Sequence, residues 1–205
     1  MKNISIIETF SEGFRVGARN YFLILVNTFL YLISSILLGI TIIGIFALPA
    51  LLGGYYHFLI QIAKGKHPKI GSIYGKGFKN FGPLLFAAII SCMGIILGLM
   101  LFLIPGIYLI IAWSFIFYLI VDQNLNVREA FSKSRELIHS VGWWKTSVVL
   151  GLTHLIYIMF EVFAFIPSVG MYIYLIGPIL IYPLVSMVYV VFFVKVISLD
   201  RINKF

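Results

Sequence analysis

A chain of 205 residues with 61% hydrophobic residues, 11% charged residues and one Cys is too apolar for a water-soluble globule, in which roughly 45–50% of residues are apolar and about 25% charged. The same composition excludes a disordered chain, and a lone cysteine excludes a disulfide scaffold. An excess of 15 Lys+Arg over 7 Asp+Glu fits one helical domain in a membrane, with its basic residues facing the cytoplasm.

The opening residues, MKNISIIETFSEGF, carry Glu8 and Glu12 and lack a small-residue cleavage site, so they do not read as a signal peptide. Residues 4–19 predict an amphipathic helix on the inner membrane surface. Ile4, Ile7, Phe10, Phe14 and Val16 form its apolar side, and Glu8, Glu12, Arg15 and Arg19 its polar side.

Three apolar stretches follow, 21–63, 81–121 and 146–194, of 43, 41 and 49 residues. A spanning helix needs about 20 residues, so each stretch predicts a hairpin of two helices. Gly39, Gly44 and Pro49 divide the first, Pro105-Gly106 the second, and Pro167 with Gly170 the third. The expected spans lie at about 21–40, 44–63, 81–101, 105–121, 146–166 and 171–194. Between the first two hairpins, 64–79 carries five lysines and no acidic residue. Between the last two, 126–141 predicts a second surface helix with Val127, Ala130, Phe131, Ser134, Leu137 and Ile138 on one side.

All 15 basic residues fall outside the hairpin tips, in blocks around Lys2–Arg19, Lys64–Lys79, Arg128–Lys145 and Lys195–Lys204. The positive-inside rule then puts both termini and both long loops in the cytoplasm. The expected fold class is all-α: an integral membrane protein with six transmembrane helices as three repeated helical hairpins, plus amphipathic interfacial helices. It forms a single domain over 1–205, with units at about 1–63, 64–125 and 126–205. The repeat rests on the tip prolines Pro49, Pro105 and Pro167. It also rests on an aromatic residue three positions before a small one in each preceding segment: Phe10 and Gly13, Tyr74 and Gly77, Phe131 and Ser134.

Polar residues inside the spans are the candidates for function. Ser147, His154 and Glu161 recur every seven residues on one helix face, with Tyr157 between them. At about 1.5 Å per residue, His154, His57 and Asn27 lie roughly 10–13 Å deep and can share one polar layer, with Glu161 roughly 24 Å deep. They read either as a relay or polar lining for a substrate, or as interhelical hydrogen bonds that fix packing. Pro178 and Pro183 interrupt the last span and free backbone carbonyls, a pointer to a cavity or a packing bend. Gly94 and Gly98 form a small-residue pair for close helix packing. Cys92 reads as a packing residue. Asp122 is expected to clamp the following helix through Arg128 or Arg135, with a ligand site as the alternative. Lys64, Lys66, Lys69, Lys76 and Lys79 are expected to face anionic lipid on the cytoplasmic side. No nucleotide loop, nucleophile elbow or metal-ligand spacing is present. No catalytic residue, metal or cofactor is therefore expected, and nucleic acid is not an expected partner.

The text LIPGIYLIIAWSFIFYLIVDQNLNVREAFSKSRELIHSVGWWK carries Pro105, Gly106, Trp113, Asp122, Glu129, Ala130, Ser134 and Trp144. With GYYHFLIQIAKGKHPKIGSIYGKGFKNFGP before it and IGPILIYPLVSMVYV after it, this resembles a broad family of uncharacterised bacterial multi-pass membrane proteins. The family includes the membrane domain fused to glycerophosphodiester phosphodiesterases and stand-alone YciC-type proteins. The resemblance covers about 50–200 and implies a bacterial inner-membrane location. The sequence holds no soluble phosphodiesterase domain, so that activity does not transfer. Two functions are expected. One is a non-catalytic protein that binds lipid or a protein partner, or serves as the membrane subunit of a complex, with a homo-oligomer possible. The other is a small transporter or exporter accessory for a lipid or amphiphile, using a polar cavity near His154 and Glu161.

Overall fold

The computed structural model describes residues 4–163 and 170–202, without the side chains of 160, 161, 163, 171 and 173–175. It is helical, and no strand occurs among the described residues. Five segments are long and apolar enough to cross a membrane: Tyr21–Gly39, Ile42–Ala63, Phe81–Leu101, Leu103–Gln123 and Ile176–Ile202. The chain is a membrane protein by that measure.

Helix α1 (Ile6–Arg19) starts at Ser5, whose hydroxyl accepts from the Glu8 N–H. Asn20 separates it from α2 (Tyr21–Gly39). A short α3 (Ile42–Ile45) forms the tip, and α4 (Leu48–Ala63) begins with Pro49 in its first turn. The lysine loop holds a 3-10 turn at Ser72–Tyr74 and α5 (Gly75–Lys79). Next come α6 (Phe81–Leu101), α7 (Leu103–Ala112) and α8 (Ile116–Gln123). Asn124 then takes the left-handed conformation at φ 55°, one that asparagine tolerates. Helix α9 (Val127–Val141) opens with a capping box between Asn126 and Glu129. Gly142, at φ 106°, turns the chain into α10 (Trp143–Phe163), and α11 (Gly170–Ile202) closes it.

The fourth expected span is broken. A turn at 113–115 divides it into α7 and α8, and Ser134 of α9 fills the break. Its hydroxyl donates to the Ala112 carbonyl at 2.8 Å and accepts from the Phe115 N–H at 3.3 Å. Backbone groups freed inside apolar surroundings need such a partner.

Helix α1 does not rest free on a lipid surface. It runs antiparallel along α11, with Gly13 against Val188 and Gly17 against Pro183 and Leu184. Two small residues four apart let the backbones meet. The buried line is Thr9, Gly13 and Gly17, while Ile7, expected on the buried side, is exposed. Glu12 reaches Lys195 at 2.7 Å. Helix α5 likewise brings Gly77 onto Ala50 and Gly54 of α4. The three short amphipathic helices thus dock on three different apolar helices: α5 on α4, α9 at the α7–α8 break, and α1 on α11.

The core gathers where α4, α8 and α11 converge. Tyr55, Phe58, Leu59, Ile116, Leu119 and Met187–Phe193 are buried there. Toward the tips the helices expose apolar side chains, among them Ile36, Ile40, Ile43, Met100, Phe102, Ile104, Ile158 and Val162. Gly94 packs under the Trp113 ring and Gly98 against Gly106, so this glycine pair serves the α6–α7 hairpin. Cys92, expected to pack inside, is exposed on α6.

Candidate binding cleft

Helices α10 and α11 each contribute a polar stripe to a shared cleft, at whose edge His154 stays exposed. On α10 the stripe is Leu150, Thr153, His154 and Tyr157; on α11 it is Tyr182, Val185, Ser186 and Tyr189. Both follow the spacing i, i+3, i+4, i+7, which is one helix face. With Tyr56 and Leu59 of α4 and Ser114 and Tyr118 beside the break, they enclose a cleft of about 330 Å³. Among the described residues its lining carries no Lys, Arg, Asp or Glu.

Aromatic packing holds the walls. Tyr56 and Tyr118 stack with centroids 4.3 Å apart and planes 15° apart. Tyr189 packs against Tyr118 at 5.8 Å, and Tyr157 against Tyr182 at 6.0 Å. His154 Nδ1 lies 2.8 Å from the Leu150 carbonyl. A carbonyl only accepts, so Nδ1 carries the proton and Nε2 of the neutral ring is an acceptor. Thr153 also turns its hydroxyl back to its own helix, donating to the Val149 carbonyl at 3.0 Å. Ser186 Oγ is buried with no hydrogen-bond partner among the described residues, and the buried Tyr189 hydroxyl has the Ser114 oxygen beside it.

A second cleft, of about 420 Å³, lies between α2, α10 and α11 and is lined by Thr28, Tyr31, Leu32, Tyr157, Pro178, Ile179 and Tyr182. Tyr157 and Tyr182 belong to both clefts and form the partition between them. Between the two prolines of α11 the Tyr21 hydroxyl donates to the Leu180 carbonyl at 2.8 Å. Gly17 also closes on the Pro183 carbonyl. Pro178 therefore stands beside a cavity, Pro183 packs against α1, and α11 continues past both.

Of the residues singled out in the sequence, His154 and Tyr157 come together in the first cleft. His57 and Asn27 do not join them. Asn27 is buried and binds the lysine loop, its Oδ1 accepting from the Gly71 N–H at 3.0 Å. His57 pairs with Gln61 one turn along α4, at 3.3 Å. The Glu161 side chain lies outside the described residues. Asp122 meets neither Arg128 nor Arg135. It pairs with Lys64 and ties α8 to α4, because α9 starts from its own Asn126 cap and leaves both arginines exposed. Lys66, Lys69 and Lys79 are exposed, and Lys76 is half-buried. Among the described residues no cluster of His, Cys, Asp or Glu could hold a metal ion.

Sequence reasoning missed Tyr182, Ser186 and Tyr189, although their spacing of four and three residues is itself a helical stripe. It also missed the partners Tyr56, Tyr118 and Ser114, whose convergence depends on the break at 113–115. No family model, curated protein or solved structure matches the chain.

Proposed function

We propose that this chain is a non-catalytic multi-pass protein of a bacterial inner membrane that binds a lipid or other amphiphile in the cleft between α4, α8, α10 and α11. One observation carries the reading: a hydroxyl-rich cavity persists among apolar helices, with Ser186 unpartnered in its wall. Unmet polar groups in such surroundings are costly, and a bound polar group offsets that cost.

The reading includes six spans with both termini cytoplasmic. Helix α10 has 21 residues, about the length that a bilayer core requires. Its antiparallel packing against α11 supports a third hairpin. The chain of docking contacts supports three related units. The amphipathic helix of each of the second and third units packs on the second apolar element of the unit before it. That of the first, α1, packs on α11, closing a ring. The register of the three contacts differs: Gly77 meets Ala50 just after Pro49, whereas Ser134 meets Ala112 seven residues beyond Pro105. The exposed lysines of the loop suit an anionic inner leaflet.

A transport role is the second reading. It is favoured by the two clefts that share Tyr157 and Tyr182, because a turn of those rings would join them.

The test is purification in mild detergent, with mass spectrometry of bound lipids, for the native chain and for Ser186→Trp, which fills the cleft. A stoichiometric amphiphile lost in the variant supports the proposal. Equal recovery of lipid from both proteins removes the cleft as its site.

A further inference from the structure

We infer that the ligand of the cleft is an uncharged lipid whose headgroup presents carbonyl acceptors, rather than a phospholipid or an ion; this rests on the binding reading above. The argument starts from what the lining lacks. Among the described residues neither cleft has a cationic or an anionic side chain. A phosphate or carboxylate brought between these helices would lose its hydration and gain no countercharge, a cost of several kcal/mol at least.

What the lining offers is hydrogen-bond donors. The Ser186 hydroxyl has no protein acceptor, and the Tyr189 hydroxyl has only the Ser114 oxygen beside it. The proton of Ser114, beside Tyr189, already goes to the Ile111 carbonyl. A hydroxyl without an acceptor in an apolar wall suits a ligand carbonyl. His154 Nε2 supplies one acceptor, which suits a ligand hydroxyl beside that carbonyl. The stacked faces of Tyr56 and Tyr118 add flat apolar walls. The tail has a continuation: beyond Tyr157 and Tyr182 lies the second cleft, which carries Leu32, Pro178 and Ile179. A turn of the Tyr157 and Tyr182 rings joins the two clefts and accommodates head and chain on the two sides of one tyrosine pair.

Two membrane components share this chemistry, a diacylglycerol-type ester and a quinone. The full chain would be reconstituted in nanodiscs of phosphatidylethanolamine and phosphatidylglycerol. Each sample would be doped with one photoreactive probe: a diacylglycerol, a quinone or a phosphatidylglycerol. The readout is the cross-linked peptide. One of the two neutral probes is expected to label residues 150–157 or 182–189. Tyr189→Phe, which removes only one hydroxyl from the cleft wall, is expected to reduce that labelling several-fold, and so is Ser186→Leu. Which neutral probe labels decides between ester and quinone. Labelling of these peptides by phosphatidylglycerol in preference to both neutral probes overturns the inference while keeping the binding reading. Neutral labelling unchanged in both variants also overturns it. Labelling of the cleft by no probe overturns both.

Discussion

Gly13 and Val188 meet backbone to backbone: a Cβ on the glycine would stand 2.5 Å from the valine Cα. That contact fixes the first helix to the last and places Glu12 at Lys195. Gly13→Ala is expected to force the two backbones apart and to cost about 1–3 kcal/mol, as overpacking does. Gly151→Ala is the control, since nothing stands within 4 Å of its Cβ position. It should gain about 0.5–1 kcal/mol from helix propensity. Thermal unfolding in detergent micelles should therefore move in opposite directions for the two variants.

The Lys64–Asp122 pair predicts a charge-specific effect. The Asp122 side chain is 4% exposed and that of Lys64 31% exposed. Lys64→Ala leaves a nearly buried carboxylate without its partner. The expected loss is on the order of 2 kcal/mol, below the ~3–5 kcal/mol of fully buried pairs because water still reaches the lysine. The double variant Lys64→Ala with Asp122→Asn should recover part of that loss, measured by chemical denaturation in the same detergent. Additive losses would show that the pair contributes nothing as a pair.

Ser134 is expected to resist even conservative replacement. Its hydroxyl serves both sides of the break between α7 and α8. Ser134→Ala orphans the Phe115 N–H and removes a donor from the Ala112 carbonyl, with an expected cost of about 1–3 kcal/mol. Hydrogen exchange should accelerate at 112–116 first. Uniform acceleration along the whole chain would place the effect elsewhere.

The proposed topology is tested by reporter fusions. Fusions at Lys66 and Ser132 should report the cytoplasm, and fusions at Thr41 and Ser168 the opposite side. A cytoplasmic reading at Ser168 would remove the third hairpin.

The helices were legible because bilayer thickness sets their length and because Pro49 and Pro105 stand where hairpins must turn. The break at 113–115 was not legible, since Trp113, Ser114 and Phe115 are all compatible with a helix and the interruption depends on Ser134 from another element. The pair Gly94 and Gly98 drew attention as a small-residue motif within an apolar span. The equally spaced Gly13 and Gly17 sit in an amphipathic segment, where a surface position looked sufficient, and their partner lies some 170 residues away. Asn27 was read by depth alone, but its partner is a backbone N–H of the folded loop. For the cleft, His154 and Tyr157 were visible as polar residues in a span. The tyrosines that complete it read as ordinary apolar residues until three helices brought their hydroxyls together.

The most direct measurement of the central claim is an experimental structure of the chain in nanodiscs made from its native membrane lipids. The account predicts elongated density in the cleft, with its head end in contact with Ser186 and Tyr189 and its tail passing Tyr157 and Tyr182. A cleft closed by repacked side chains, with all lipid density confined to the outer surface of the helices, would contradict it.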